Sequence, residues 1–395
     1  MYSLLLVFIY IAFVGLGLPD SLLGSAWPVM QVELGAPLSY AGLVTMIISA
    51  GTVVSSLFAD KMLRKMSAGV LTTVSTLVTA IALFGFSLSR SVVMLCIWAI
   101  PYGLGAGAVD AALNNYVAVH YSSKHMSWLH AFWGVGAAIS PYIMSYCLMG
   151  GLGWSNGYFS VSVIQIIISI ALFLSLPMWK KAVASSGEQA DSTDGTPDLT
   201  FAQKLKIPGV WCVLTLFFAY CSLEQTAGIW ATSYLVTYRG IAEETAAAFA
   251  SMYFLGITAG RFACGFVADR IGDKTLTRMG IIVSAVGVIM VAIPVKTHVL
   301  ALSGLIIAGL GSAPIYPSVI HSTPSNFGAR NSQAIIGLQM AFAYIGITLM
   351  PPIFGLVAEH TSIALYPFYL LVFSVIMIIA SEKLNKITKN KKAAE

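Results

Sequence analysis

Three carboxylic acids of this 395-residue chain stand inside long apolar stretches: Asp20, Asp110 and Glu224. An ionised side chain at the centre of a bilayer costs about 2.5–3.5 kcal/mol, so such residues almost always face a cavity or a partner. A carboxylate in a water-filled cavity can take up a proton or another cation, and it can bind hydroxyl groups. The chemistry that these residues suggest is the binding of a cation and a polar solute inside a membrane.

Asp20 and Asp110 are the candidates for binding a coupling cation. Asp20 lies in GLGLPDSLLGSAWP (15–28), whose glycines and prolines can break a helix and let backbone groups line a cavity. Asp110 precedes Asn114 by one helical turn, so a carboxylate and an amide share a helix face. Asp20 could instead cap a broken half-helix. Asp110 could instead hold helices together by a hydrogen bond to Asn114 or Asn115.

The candidates for binding the solute combine acids, amides and aromatic rings. Aromatic rings stack on the apolar face of a pyranose, while amides and carboxylates bind its hydroxyl groups. A histidine in WLHAFWG could accept a substrate hydrogen bond or relay a proton, or could simply lie at the membrane interface. Each tryptophan could instead belong to an interfacial aromatic belt. The candidate set is Asn114, Asn115, His130, Glu224, Gln225, Trp230, Tyr316, Gln339, Trp27 and Trp133.

Arg261 is a basic residue within an apolar stretch and therefore needs a partner. Glu224 is the one acid expected at bilayer depth in that half of the chain. We therefore predict an interaction between Glu224 and Arg261, either direct or through substrate or water.

The elements that must position these residues are membrane-spanning helices. The chain is 58% hydrophobic and 9% charged, whereas a soluble domain carries about 25% charged residues. Five cysteines lie in apolar segments without a CxxC pair, so neither a disulfide framework nor a metal site is expected. Windows of about 20 apolar residues predict an all-α membrane protein with twelve spans. These are 4–29, 39–59, 68–88, 92–118, 127–149, 157–178, 209–236, 245–268, 276–294, 298–320, 332–357 and 363–381.

Basic residues predict the orientation of these spans. One family of loops holds most of them, including five lysines from Lys383 to Lys392, whereas the opposite loops hold Arg90, Arg239 and Lys296. The positive-inside rule therefore places both termini in the cytoplasm.

Internal repeats divide the chain into two halves. Three segments recur at offsets of 206 to 210 residues: SLFADKMLRK (56–65) in GFVADRIGDK (265–274), AFWGVGAAISP (131–141) in AFAYIGITLMP (341–351), and YGLGAGAVD (102–110) in AGLGSAPIY (308–316). We predict two pseudo-symmetric six-helix bundles, 1–179 and 208–395, joined by a cytoplasmic linker at 180–207. Parallel repeats of this kind place a substrate site at the midplane between the bundles.

The segment GFVADRIGDK resembles the loop motif between spans two and three, and again between eight and nine, of the major facilitator superfamily. The N-terminal copy departs from it at Ser56, Lys61 and Leu63, which replace glycine, arginine and glycine. An aspartate at a helix end, followed by basic residues, can form a latch with a neighbouring helix in one conformation. The alternative is ordinary solvated loop charge. The predicted latch and gating residues are Asp60, Arg64, Asp269, Arg270 and Arg261.

The intramembrane residues resemble the fucose–proton symporter branch of that superfamily. The resemblance is carried by Asp20, by Asp110 with Asn114, and by LHAFWGVGA. It implies that the acids of spans one and four act in proton coupling and sugar recognition. Two positions depart from the branch: Asp110 is an aspartate where the branch has glutamate, and His130 replaces a glutamine-type residue.

We therefore expect a secondary active transporter, not an enzyme, since no GxxxxGK[ST] nucleotide loop is present. The expected function is symport of a sugar or similar polyhydroxylated solute with a cation, most simply a proton, although sodium fits as well. No cofactor and no nucleic-acid partner are expected. We expect a monomeric, multi-pass protein in the lipid bilayer of a bacterial-type inner or plasma membrane. Two alternatives are a drug–proton antiporter of the same fold and a membrane receptor that binds a sugar without moving it.

Overall fold

The computed structural model describes residues 2–37, 40–185, 200–295 and 298–394. The described residues are helical, with short connections, as expected where lipid cannot satisfy backbone hydrogen bonds. The helices are Tyr2–Gly17 (α1), Leu22–Glu33 (α2), Tyr40–Leu63 (α3), Ala68–Leu88 (α4), Val92–His120 (α5), Ser123–Met149 (α6), Trp154–Ser185 (α7), Phe201–Leu205 (α8), Val210–Thr237 (α9), Glu243–Ile271 (α10), Asp273–Ala292 (α11), Val299–Ser312 (α12), Ile315–His321 (α13), Thr323–Phe327 (α14), Ala329–His360 (α15) and Tyr366–Ala394 (α16), with a 3₁₀ turn at Ile363–Leu365.

The prediction of twelve membrane spans is confirmed. Within the described ranges, 12 stretches are long and apolar enough to cross a membrane. The first comprises α1 and α2, and the tenth comprises α12 and α13. Both of these spans are interrupted, whereas α9, the seventh span, runs unbroken from Val210 to Thr237.

The chain divides into two compact units. One contains Met1–Tyr116 and Phe132–Thr200, and the other contains Val117–Ala131 and Phe201–Glu395. The division differs from the predicted halves because residues 117–131, which end the fourth span and begin the fifth, group with the C-terminal unit. The core of the predicted linker, 186–199, lies outside the described residues, so the linker remains a prediction.

Each unit repeats the same close helix crossings, which supports the duplication inferred from the sequence. A Cβ atom at Gly136 would lie 2.1 Å from the carbonyl oxygen of Val14, and one at Gly346 would lie 2.8 Å from that of Phe218. The two glycines are 210 residues apart and occupy matching positions of the repeat. Small residues at such crossings let helix backbones touch in a membrane.

A second pair of glycines shows the same duplication. A Cβ atom at Gly103 would lie 2.2 Å from the carbonyl oxygen of Ile48, and one at Gly309 would lie 2.2 Å from that of Tyr253. The offset is 206 residues, as in the matching sequence segments. The fourth span therefore packs on the second as the tenth packs on the eighth.

Candidate functional site

Asp20 lies in the interruption of the first span, between the end of α1 and the start of α2. Its Oδ2 accepts a hydrogen bond from Nε1 of Trp133 (2.9 Å), and its Oδ1 accepts one from the hydroxyl of Tyr102 (3.2 Å). Donors from α6 and α5 thus orient the carboxylate, while its side chain stays exposed. The helix-capping alternative gains no support, because Ser21 holds the N-cap position of α2.

A close contact between α1 and α6 brings Trp133 to Asp20. A Cβ atom at Gly17 would lie 2.1 Å from the carbonyl oxygen of Trp133, and backbone cannot move aside as a flexible side chain can. The absence of a side chain at residue 17 therefore sets the spacing of the two helices beside the carboxylate.

We expect Gly17→Ala to lower the melting temperature of the purified protein, because overpacking a tight contact costs about 1–3 kcal/mol. Gly24→Ala is the matched control, since nothing lies within 4 Å of a Cβ atom at residue 24 of α2. Equal melting temperatures of the two variants in detergent would contradict the backbone contact between α1 and α6.

Asp110 is a buried acid in the middle of α5, with 5% of its surface exposed. Nδ2 of Asn114 donates to Oδ1 of Asp110 at 2.8 Å and to its backbone carbonyl at 3.0 Å. The predicted carboxylate–amide stripe is therefore present, but this hydrogen bond stays within one helix and does not tie two helices together. Asp20 and Asp110 both belong to the N-terminal unit.

The two other candidates of the N-terminal unit differ in burial. Trp27 is 3% exposed and packs in a hydrophobic cluster with Leu22, Met30 and Tyr102. Asn115 is partly buried, one position after Asn114 in α5. The structure thus places Trp27 in the core that supports Tyr102, and its role in binding a solute remains a prediction.

In the C-terminal unit, the predicted interaction between Glu224 and Arg261 is present. Nη2 of Arg261 lies 3.5 Å from Oε1 of Glu224 and donates to the hydroxyl of Tyr220 at 3.4 Å. The arginine is buried, with 3% of its side chain exposed, whereas Glu224 has 14% exposed. Both distances are at the long end of the hydrogen-bonding range, so Glu224 is held without being fully enclosed.

Exchanging the two charges tests this pair. We expect Glu224→Arg and Arg261→Glu each to cost about 3–5 kcal/mol, because either leaves two buried like charges without a counter-ion. The double exchange should recover folded protein, measured as the monodisperse fraction in size-exclusion chromatography. Failure of the double variant to improve on either single variant would mean that the pairing is wrong.

Tyr316, the second residue of α13, is the centre of an aromatic cluster in the same unit. Its ring centroid lies 4.5 Å from those of His130 and Phe217, and 6.0 Å from that of Tyr220. The guanidinium carbon of Arg261 lies 6.0 Å from the Tyr316 ring, within cation–π range. His130 is 5% exposed, so it is packed inside this unit and does not lie at an exposed helix end.

Gln339 of α15 is fully buried. Its Oε1 accepts a hydrogen bond from Oγ1 of Thr323 (3.1 Å), and its Nε2 has no hydrogen-bond partner among the described residues. It follows Tyr316 by 23 residues and precedes Met340, whose sulfur accepts the Tyr316 hydroxyl at 3.2 Å.

Gln225 and Trp230 are partly buried on α9. Nε1 of Trp230 donates to the carbonyl of Pro351 at 2.9 Å, and its ring meets Phe354 edge-on. Trp230 also lies six residues from Glu224, about 9 Å along the helix axis at 1.5 Å per residue. Glu224 is therefore linked through Arg261 to Tyr220 and Tyr316. Trp230 instead packs against α15.

The predicted latch residue Asp269 receives hydrogen bonds at the start of α6. Its Oδ2 accepts from the hydroxyl of Ser122 (3.0 Å), and its Oδ1 accepts from the backbone N–H of Lys124 (3.1 Å). A carboxylate at a helix N-terminus is favoured by the helix dipole and by its unpaired N–H groups. The neighbouring Arg270 is exposed.

Asp273 makes a second set of contacts that the sequence did not predict. Its Oδ1 accepts from the hydroxyl of Ser123 (2.6 Å), and its Oδ2 lies 2.6 Å from Nδ1 of His321. The other ring nitrogen of His321 lies 3.0 Å from the carbonyl oxygen of Tyr121. Gly272, at φ +81°, permits the turn between α10 and α11 that brings both aspartates to the start of α6.

The N-terminal copy of the motif contains an ion pair between Asp60 and Arg64. Asp60 lies 3.5 Å from Nη2 of Arg64, one helical turn further along the chain, and the Arg64 side chain is 46% exposed. Such a pair contributes about 0.3–0.5 kcal/mol on a helix surface. The latch roles of Asp60, Arg64, Asp269, Arg270 and Arg261 remain predictions.

Three residues that contact the candidate groups were not predicted from the sequence: Tyr102, Tyr220 and His321. Tyr220 had a usable signal, because it precedes Glu224 by one turn and shares its helix face. Tyr102 and His321 had no such signal, because each contacts an aspartate that lies far away in the sequence.

Comparisons with known proteins identify the family to which the chain belongs. The chain matches the Major Facilitator Superfamily model over residues 9–249 and again over 212–384. It is 25% identical over 287 residues to "Bypass of stop codon protein 6" of Saccharomyces cerevisiae, which covers 66% of this chain but only 56% of the yeast protein. It is 20% identical to the glucose/mannose transporter GlcP of Bacillus subtilis, over 96% of this chain and 94% of that one.

A solved structure extends the comparison to the fold. The E. coli fucose:proton symporter FucP, solved as a point variant, superposes with a TM-score of 0.71 at 16% identity, covering 97% of this chain and 99% of that one. This likeness establishes the helical architecture. With the family model matching most of the sequence, the chain belongs to the Major Facilitator Superfamily and is an integral, multi-pass membrane transporter rather than an enzyme.

Proposed function

We propose that this transporter couples the movement of a cation, most simply a proton, to the movement of a sugar or similar polyhydroxylated solute in the same direction. The observation that carries the proposal is the setting of Asp20. This carboxylate sits in a helix break, two neutral donors fix its orientation, and its side chain remains accessible. An accessible, oriented acid in a membrane span is suited to bind and release a cation during each cycle.

The cation site would comprise Asp20 and Asp110. Both acids belong to the N-terminal unit, and a proton or cation bound to either acid reduces the negative charge of the site. Binding also reduces the charge that the protein carries through a dehydrated intermediate, where an ionised carboxylate is costly. A solute-loaded carrier whose two acids are still ionised is disfavoured in that intermediate, so movement of the solute becomes tied to binding of the cation.

The solute would bind both hydrogen-bonding groups and aromatic rings of the C-terminal unit. Glu224 and Arg261 offer an acceptor and a donor for hydroxyl groups, and their long 3.5 Å separation leaves capacity for further hydrogen bonds. The rings of Tyr316 and Tyr220 offer apolar faces beside them. The similarity to GlcP, whose name gives glucose and mannose as its solutes, supports a sugar over a lipophilic drug.

We further propose that the protein works as a monomer with both termini in the cytoplasm of a bacterial-type inner or plasma membrane. Cysteine labelling tests the orientation. A membrane-impermeant maleimide should label Arg90→Cys in intact cells and Lys383→Cys only after permeabilisation. The reverse pattern would invert the topology.

Counterflow in proteoliposomes tests the proposed function. Vesicles loaded with unlabelled glucose, mannose, fucose or xylose should concentrate the same labelled sugar from outside in at least one case. Saturable binding of a sugar without counterflow would favour the receptor alternative. Proton movement driven by tetraphenylphosphonium, with no counterflow of any sugar, would favour the drug–proton antiporter.

A further inference from the structure

The helix break that carries Asp20 begins at a carbonyl without its normal donor. In an α-helix, the carbonyl oxygen of Gly15 would accept a hydrogen bond from the N–H of residue 19. Residue 19 is proline, which has no N–H. Gly15 is buried, so its carbonyl needs another donor to offset the cost of losing water.

Gln165 of α7 supplies that donor. Its Nε2 donates a hydrogen bond to the carbonyl oxygen of Gly15. The glutamine is 2% exposed, so its amide is placed for this contact inside the protein and not for solvent. A Cβ atom at Gly15 would lie 3.2 Å from Oε1 of Gln165 and 3.1 Å from Cδ1 of Ile168, so the missing side chain at residue 15 lets α7 approach.

Neighbouring polar side chains on α7 serve a different helix. Ser162 donates to the carbonyl of Ala80 at 3.0 Å, and Ser169 donates to that of Thr73 at 3.2 Å. Both acceptors belong to α4. These serines therefore hold α7 to α4. Gln165, which lies one helical turn from each serine, instead donates to α1.

The matching span of the second unit has a backbone N–H at the position of the proline and is unbroken there. Gly136 meets Val14 and Gly346 meets Phe218, so the first and seventh spans match at an offset of 204 residues, and Pro19 corresponds to Leu223 in α9. Leucine retains its N–H, and α9 is continuous there. The proline, the orphaned carbonyl and the glutamine donor thus occur together at the span that bears the accessible acid.

We infer that Gln165 is a positioning residue for Asp20. By replacing the donor that Pro19 removes, it fixes the start of the break, while Trp133 and Tyr102 fix the carboxylate at its other end. The inference rests on the proposed role of Asp20 in cation coupling. Gln165 touches neither cation nor solute and acts through the geometry of the first span.

A double-mutant cycle between Gln165 and Pro19 tests the hydrogen-bond replacement. Gln165→Leu should lower the melting temperature of the detergent-purified protein, because it leaves the Gly15 carbonyl unpaired. In a Pro19→Ala background, residue 19 regains an N–H, so the same substitution should cost much less. Ser169→Ala is the control, and its cost should be equal in both backgrounds.

The indole of Trp133 gives a readout of Asp20 that does not depend on a substrate. Its signal is the difference in tryptophan fluorescence between each protein and the same protein carrying Trp133→Phe. We expect Gln165→Leu to move the pH midpoint of this signal by about half a unit or more, since the carboxylate loses its fixed position relative to its donors. Ser169→Ala should leave the midpoint unchanged.

The inference is overturned if the midpoint stays in place, or if Gln165→Leu costs the same in both backgrounds. Should Gln165→Leu fail to accumulate in the membrane, recovery by Pro19→Ala would support the inference, and no recovery would overturn it. A wild-type Trp133 signal that does not titrate would count against the role of Asp20, whereas the melting cycle would still decide the role of Gln165.

Discussion

Asp110→Asn is expected to abolish uphill accumulation of the solute while leaving counterflow in place. Asparagine keeps the size and can still accept the hydrogen bond from Asn114, which Asp110 receives at 2.8 Å. It cannot take up a proton or carry a negative charge. The substitution therefore removes a group proposed to bind the cation, while the groups of the C-terminal unit proposed to bind the solute stay in place.

The size of this effect follows from the driving force. One charge moving down a potential of 100 mV releases about 2.3 kcal/mol, which sustains roughly 50-fold accumulation at 1.4 kcal/mol per tenfold. Wild-type proteoliposomes with a potassium diffusion potential should approach this ratio for the sugar that shows counterflow. Asp110→Asn should give a ratio near one.

A matched control is Glu382→Gln, which removes a carboxylate paired with Arg278 at 2.7 Å near the C-terminal end of the chain. Exposed pairs of this kind contribute little, so accumulation should stay at the wild-type ratio. Accumulation by Asp110→Asn that equals the control would show that Asp110 is not the coupling group.

Asp20→Asn is expected to have the second large effect, a loss of both coupling and apparent affinity for the cation. The carboxylate accepts one hydrogen bond on each oxygen, from Trp133 and from Tyr102. In asparagine one of these oxygens is replaced by an NH₂ group, which is itself a donor and cannot accept the second hydrogen bond. Removing the charge also removes the main reason for a cation to bind there. Uptake driven by a pH gradient, measured at several external pH values, should lose its pH dependence.

Trp133→Phe and Tyr102→Phe distinguish the acid from its donors. Each keeps the Asp20 carboxylate but removes one hydrogen bond to it. Coupled uptake should therefore persist, with its pH dependence displaced toward higher pH, because loss of a donor to the ionised form favours the protonated form. Complete loss of coupling in Trp133→Phe, or unaltered coupling in Asp20→Asn, would contradict the assignment of the cation site to Asp20.

Much of the fold could be predicted because the bilayer imposes simple constraints on the sequence. Long apolar windows predicted twelve spans, and the repeat predicted equivalent crossings, which the glycines at 136 and 346 make in their own units. Glycine and proline around Asp20 predicted the break in the first span. The assignment of residues 117–131 to the C-terminal unit was not predicted, because hydropathy gives the length of a helix and not the partners of its two ends.

The candidate site could be predicted only where the chemistry is local or forced. Burial of Arg261 demanded an acid, and Glu224 was the single candidate, so that pair was found. The partners of Asp20 depend on how α1, α5 and α6 are rotated against one another. Gly17 sets the spacing of α1 and α6 through a backbone contact that the sequence pattern does not reveal. Helix rotation also decides the surroundings of two tryptophans. Trp27 packs in a hydrophobic cluster, and Trp230 donates to the backbone carbonyl of Pro351, and neither contact is indicated by sequence position.

Simultaneous recording of proton and sugar fluxes in one set of proteoliposomes tests most directly whether the intramembrane acids bind the coupling cation. An outward-to-inward gradient of the sugar that shows counterflow should drive protons into wild-type vesicles, reported by an internal pH dye. In the Asp20→Asn/Asp110→Asn variant, sugar counterflow should continue while the proton signal disappears. Sugar-driven proton uptake that persists with both acids neutralised would contradict the account.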